Sequence, residues 1–137
     1  MLIGNIRNPP HNVWPAFHYV RVDRTTVLGN PFVIGRDGTR VEVIAKYRAW
    51  LPDAYRDDAP KGVRLMIDQL VDHELHSECP TVLLCWCHPQ PCHASVIQEF
   101  VEAAASVIVE DYNSEYFADF NEASAATKEA QASGGRT

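Results

Sequence analysis

The sequence predicts a small α/β domain, a layered sandwich with a mainly parallel sheet and helices packed on it. Three observations lead there. Residues 19–23 (Tyr-Val-Arg-Val-Asp) are short, β-branched and alternating, and residues 81–85 (Thr-Val-Leu-Leu-Cys) are an apolar run of strand length. Two stretches of helical periodicity separate them, and a third follows the second run. Strand, two helices, strand, helix is the order of layered α/β sheets. If the two strands are parallel, their connection is right-handed and both carboxyl ends lie at one edge.

Each element has its own warrant. Residues 2–6 read as a short strand or an arm, ended by Pro9 and Pro10, which remove backbone donors and favour a turn. Residues 19–23 alternate as a strand does, and residues 24–32 form a turn-rich loop. Thr39 followed three positions later by Glu42 is a capping-box pattern, and Val43, Ile44, Tyr47, Trp50 and Leu51 then recur on one helical face. Pro52 and the charged residues 53–58 mark a break. Pro60 then takes the first turn of a helix carrying Val63, Ile67, Leu70 and Val71. A last helix from about Cys92 presents Val96, Ile97, Phe100, Val101, Ala104, Val107 and Ile108 as an apolar stripe facing the core.

Residues 1–110 thus form one α/β domain. Residues 111–122 mix acids with Tyr112, Tyr116, Phe117 and Phe120, the pattern of a short acidic helix packed on the domain or offered to a protein partner. Residues 123–137 are small and polar and read as a disordered tail.

A chain of 137 residues with 46% hydrophobic content buries one ordinary core. Its net charge of −6 argues against a broad nucleic-acid surface. No charged leader precedes a long apolar stretch, and no apolar run approaches the roughly 20 residues that span a bilayer, so the expectation is a soluble cytoplasmic protein without membrane contact. Of its four cysteines, three fall within eight positions. In a chain of this length without an export signal they are expected as reduced thiols.

Chemistry concentrates where the strand at residues 81–85 runs into Trp86-Cys87-His88-Pro89-Gln90-Pro91-Cys92-His93-Ala94. With parallel strands this loop converges on the loop at residues 24–32, and the crevice between such loops is the default ligand site of an open α/β sheet. Three readings of the cluster compete. Zinc would use Cys85, Cys87, Cys92 and either His88 or His93. The spacing suits it poorly, because Cys85 and Cys87 on a strand have Cα atoms about 6.5 Å apart, and adjacent Cys92 and His93 diverge by about 100° on a helix. Covalent haem, suggested by the Cys-His pair after a four-residue gap from Cys87, lacks an export signal and a second axial ligand.

The third reading places Cys92 and His93 at a helix start whose free N–H groups bind a phosphate or other anion. Arg21, Arg24 and Arg36 then complete the charge, and Thr25, Thr26 and Asn30 add neutral hydrogen bonds. Cys92 is the candidate nucleophile and His93 the candidate acid or base. Trp86 either stacks on a nucleobase or packs a helix. Cys85, on an apolar strand, is expected in the core. Arg21 and Arg36 also have plainer readings, as partner of a neighbouring acid and as a turn residue.

Val20-Arg21-Val22-Asp23-Arg24, Leu28-Gly29-Asn30-Pro31-Phe32, Tyr47, Trp50-Leu51, Cys85-Trp86-Cys87, Pro89 and Cys92-His93-Ala94 occur in an order and spacing that resemble a small phage and bacterial family, domain of unknown function 4326. The resemblance covers residues 19–100. One departure is Ser95, at a position where that pattern often carries an acid. The resemblance implies a shared site and supplies no chemistry.

Two function classes follow. The leading one is a ligand pocket at the strand carboxyl ends for a nucleotide or another phosphorylated metabolite, with catalysis left open. The rival is a non-enzymatic interaction protein, with a structural cysteine cluster and a partner-binding acidic tail.

Overall fold

The computed structural model describes residues 1–111. The expectations for residues 112–122 and for the tail 123–137 lie outside the described residues. The chain divides into two compact units, Met1–Ala105 and Ser106–Thr137. The elements are β1 (Leu2–Asn5), β2 (His18–Arg21), α1 (Arg40–Asp57), α2 (Val63–His76), β3 (Thr81–Cys85) and α3, helical from residue 94 to residue 111.

The three strands form one parallel sheet of order β1-β3-β2, with Ile3 and Val20 both opposite Leu83. Central β3 is buried along its whole length, as a strand covered on both faces must be. Alternation assigns its side chains. Leu83 and Cys85 join the core cluster with Ile3 and Val20, and all three helices pack on this face through Tyr47, Leu51, Ile67, Leu70, Ile97 and Val101. Val82 and Leu84 point the other way and are buried as well. Pro10 stands against Gly4, where any Cβ would collide with its ring, and the Tyr19 hydroxyl donates to the Pro10 carbonyl at 2.6 Å.

The strand expected over residues 19–23 starts and ends slightly earlier. Val22 still donates to the Leu84 carbonyl at 2.9 Å, after which Asp23 turns away to face its own loop. The capping box of α1 forms as its spacing requires: Thr39 Oγ1 accepts from the Glu42 N–H, and the Glu42 carboxylate accepts from the Thr39 N–H at 2.8 Å.

Three boundaries are corrected. Pro52 does not break the helix; α1 continues through it to Asp57. Proline deletes one helical hydrogen bond, but Leu51 and Ala54 on either side are buried, and the helix ends where Asp58 adopts a left-handed conformation with its N–H capping Ala54 and Tyr55. Pro60 precedes α2 instead of occupying its first turn; Gly62, at φ 105°, is the N-cap. On α3, Val96, Ile97, Val101 and Ala105 are buried, whereas Val107 and Ile108, expected on the same stripe, are exposed. Among the described residues no helix is long and apolar enough to cross a membrane.

Candidate functional site

Because β2 and β3 are parallel neighbours, the loops that leave their carboxyl ends meet. Between them and the amino end of α1 lies a cavity of about 270 Å³, lined by Arg24, Thr25 and Asn30 from the first loop, Arg40, Val43 and Ile44 from α1, and Cys85, Trp86, Cys92 and His93 from the second. Phe32 and Ile34 complete a largely apolar wall.

The first loop is fixed to α1 from beneath. Tyr47, fully buried, donates its hydroxyl to the Leu28 carbonyl at 2.7 Å, and burial pushes its pKa well above the usual tyrosine range. Asn30 is buried too. Its Nδ2 donates to the Val43 carbonyl at 3.2 Å, and its Oδ1 accepts from the Phe32 N–H at 2.9 Å. This is a turn residue that also clamps the loop. Gly29 permits the fold-back, since a Cβ there would stand 2.5 Å from Arg24 Cα and 2.7 Å from the Asp23 carbonyl oxygen.

Asp23 organises the mouth of the cavity. Oδ1 accepts from Arg21 Nε at 3.2 Å and the Thr25 hydroxyl at 2.9 Å; Oδ2 accepts from an Arg21 terminal nitrogen at 2.7 Å and Trp86 Nε1 at 3.1 Å. The Arg21 guanidinium, first, and then the Thr25 and Trp86 donors hold the Asp23 carboxyl below the usual carboxylate range against the opposing effect of burial. Trp86 is half exposed, anchored by its indole N–H, with the guanidinium carbons of Arg7 and Arg21 at 5.5 and 5.9 Å from its ring.

At the inner end, Cys85 and Cys92 are both buried, with their sulfurs 2.9 Å apart. Cys85 is therefore a core residue, as its strand position suggests, and also part of the cavity. The S–H of Cys92, above all, and the N–H groups of His88 and Cys87 pull the Cys85 thiol down to about 6, overcoming its burial. Cys92 is pushed up by the same contact and by burial. Their contact thus moves the two thiols in opposite directions, Cys85 down and Cys92 up.

His93 is buried, with Nε2–H donating to the Val22 carbonyl at 2.5 Å and its ring edge-on to Tyr47 at a centroid distance of 5.0 Å. Desolvation lowers its pKa, the Val22 bond opposing, and the neutral ring keeps Nδ1 as an acceptor. The N–H groups at the start of α3 are not free for an anion. Ala94 N–H donates to Cys92 Sγ at 3.2 Å, Ser95 N–H to the Cys92 carbonyl at 3.2 Å, and Val96 N–H to the His93 carbonyl at 3.0 Å. Positive charge comes from side chains. Arg24 spends two nitrogens on the Asn30 and Phe32 carbonyls, and Arg40 one on the Pro91 carbonyl, which leaves each guanidinium further donors.

Of the residues singled out from sequence, Arg24, Thr25, Asn30, Trp86, Cys92 and His93 line one cavity. Arg21 stands behind Asp23, and Arg36 turns to Asp37 and the Pro31 carbonyl; neither lines it. Sequence reasoning missed Asp23 and Arg40. An acid directly after a strand and between two arginines was a visible signal for Asp23. Arg40 offered none, because its contact with Pro91 spans 51 residues. Among the described residues no three His, Cys, Asp or Glu side chains are grouped to hold a metal ion.

No curated protein matches the chain, and no solved structure does. A family model does match, over residues 7–103, a span that contains both loops and every side chain of the cavity. The chain belongs to the family described as Domain of unknown function (DUF4326).

Proposed function

We propose that the cavity binds a small phosphorylated ligand, a mononucleotide or a phosphorylated metabolite of similar size, in a cytoplasmic protein. The observation that carries this reading is the presence of two guanidiniums, Arg24 and Arg40, on the rim of an otherwise largely apolar cavity at the carboxyl ends of parallel strands. Arginine matches phosphate with several fixed donors, and Phe32, Ile34, Val43 and Ile44 offer the apolar walls that a base or a sugar face needs. At about 270 Å³ the cavity falls just below the usual range for ligand sites, about 300–1,000 Å³, which favours a mononucleotide over a dinucleotide. Asp23 does not repel such an anion, because Arg21 neutralises it. Four free thiols suit a reducing compartment. His93, as acceptor, and the Cys85–Cys92 pair are the groups on hand for a reacting ligand.

Thermal unfolding in the presence of nucleoside monophosphates and sugar phosphates, with the unphosphorylated compounds as controls, tests the reading, since a ligand at 100 times its Kd adds about 2.7 kcal/mol. At least one phosphorylated compound should raise the Tm more than its unphosphorylated counterpart, and Arg24→Ala and Arg40→Ala should each reduce that rise. Equal shifts from both compounds, or shifts that both variants retain, would refute it.

A further inference from the structure

We propose that Cys85 and Cys92 form a reversible thiol–disulfide redox centre within the cavity, oxidised by a low-molecular-weight disulfide that enters through it. The geometry is particular. Cys85 is the last residue of β3 and Cys92 sits two residues before α3, so two rigid elements hold the sulfurs 2.9 Å apart while the loop 86–91 bulges away between them. A disulfide bond of about 2.05 Å needs an approach of roughly 0.9 Å, within the reach of small side-chain rotations. Both sulfurs belong to residues lining the cavity, which gives a reagent its path to a pair otherwise buried. The other two thiols are placed differently: Cys79 precedes β3 at the opposite end of the sheet, and Cys87, half-buried, has no sulfur partner among the described residues.

The polarity of the pair suits exchange. The contact lowers the Cys85 pKa and raises that of Cys92, which favours attack from Cys85. The Cys85 thiolate attacks one sulfur of the incoming disulfide; that S–S bond breaks, one thiolate leaves, and a mixed disulfide remains on Cys85. The leaving thiolate takes the Cys92 proton. Cys92 sulfur then attacks Cys85 sulfur, expels the second thiolate and closes the Cys85–Cys92 bond. The second thiolate takes its proton from solvent, which received one when Cys85 ionised, so in sum the two protein thiols lose two electrons and two protons and the small disulfide is reduced to two thiols.

The test equilibrates the full chain with reduced and oxidised glutathione at a series of ratios. After acid quenching and alkylation, chymotryptic cleavage at Trp86 separates Cys85 from Cys92 unless they are bonded. The expected result is joint loss of alkylation at Cys85 and Cys92, a linked peptide pair, full labelling of Cys79, and complete reversal by dithiothreitol. Cys87→Ser should form the same link, and Cys92→Ala should accumulate glutathione on Cys85. A link that depends on Cys87, a mixed disulfide that persists in the parent chain, or Cys85 and Cys92 still alkylated at ratios that oxidise Cys79 would each overturn the proposal. None of these readouts requires a ligand in the cavity, so failure here leaves the phosphate-binding reading standing.

Discussion

Asp23→Asn removes one charge and turns one acceptor into a donor at the residue that sets the mouth of the cavity. The carboxylate accepts four hydrogen bonds, two from Arg21 and one each from Thr25 and Trp86. The Thr25 hydroxyl can reverse its role, but the new amide must still face a donor of Arg21. Hydrogen bonds to a charged group contribute about 1.5–3 kcal/mol where water is excluded, whereas exposed ion pairs contribute about 0.2–1 kcal/mol. Arg21 and Trp86 are both near half exposed, so the low end applies and the loss should be about 1–1.5 kcal/mol at pH 7.

Urea unfolding followed by circular dichroism across a pH series measures it. The sign of the pH dependence follows from the direction of the shift. Asp23 is held below its ordinary value in the folded chain, so its contribution is full above about pH 4, where the unfolded carboxyl titrates, and is lost as the pH falls through the folded value. The gap between the parent and Asp23→Asn should therefore be widest at pH 5–7 and shrink below about pH 4. Equal stability at pH 7, or a gap that persists undiminished into acid, would show that Asp23 does not organise the loop.

Gly29→Ala should cost about 1–3 kcal/mol in thermal or urea unfolding, because its Cβ would meet backbone atoms of Asp23 and Arg24, which cannot rotate aside; an unchanged Tm would mean that the loop is looser than its contacts imply. Metal analysis of protein purified without chelator should find less than one zinc per chain. Tight one-to-one zinc that survives dialysis and disappears in Cys87→Ser would reverse that expectation and make the cluster a metal site.

The use of His93→Ala as a probe of binding changes with the structure. From sequence it reads as a helix-start residue and a candidate acid or base. In the fold it is buried, and its removal leaves the Val22 carbonyl without that donor, a cost of about 1–3 kcal/mol. Arg24 and Arg40, whose side chains lie on the rim, separate binding from folding better.

Several elements are legible from local signals alone. The five apolar residues Thr81–Cys85 identify a strand because a strand buried on both faces has no polar side to show. Thr39 and Glu42 announce the start of α1 because a capping box is complete within four residues. The order of elements already implied a parallel sheet with its loops converging at one edge, since parallel strands leave few connections.

Tertiary structure decided the rest, wherever a long-range contact outweighed a local preference. Pro52 looks like a helix end because proline deletes a hydrogen bond, yet Leu51 and Ala54 bury enough apolar surface to carry α1 past it. Trp86 looks like a packing residue, and only its bond to Asp23, 63 residues away, turns it to the cavity mouth. The pairing of Cys85 with Cys92, and of His93 with a carbonyl 71 residues earlier, arises from how β2, β3 and α3 meet. Local sequence determines which elements form because the hydrogen bonds of helices, caps and turns close within a few residues; which side chains share a site depends on packing between elements, and no spacing along one chain encodes that.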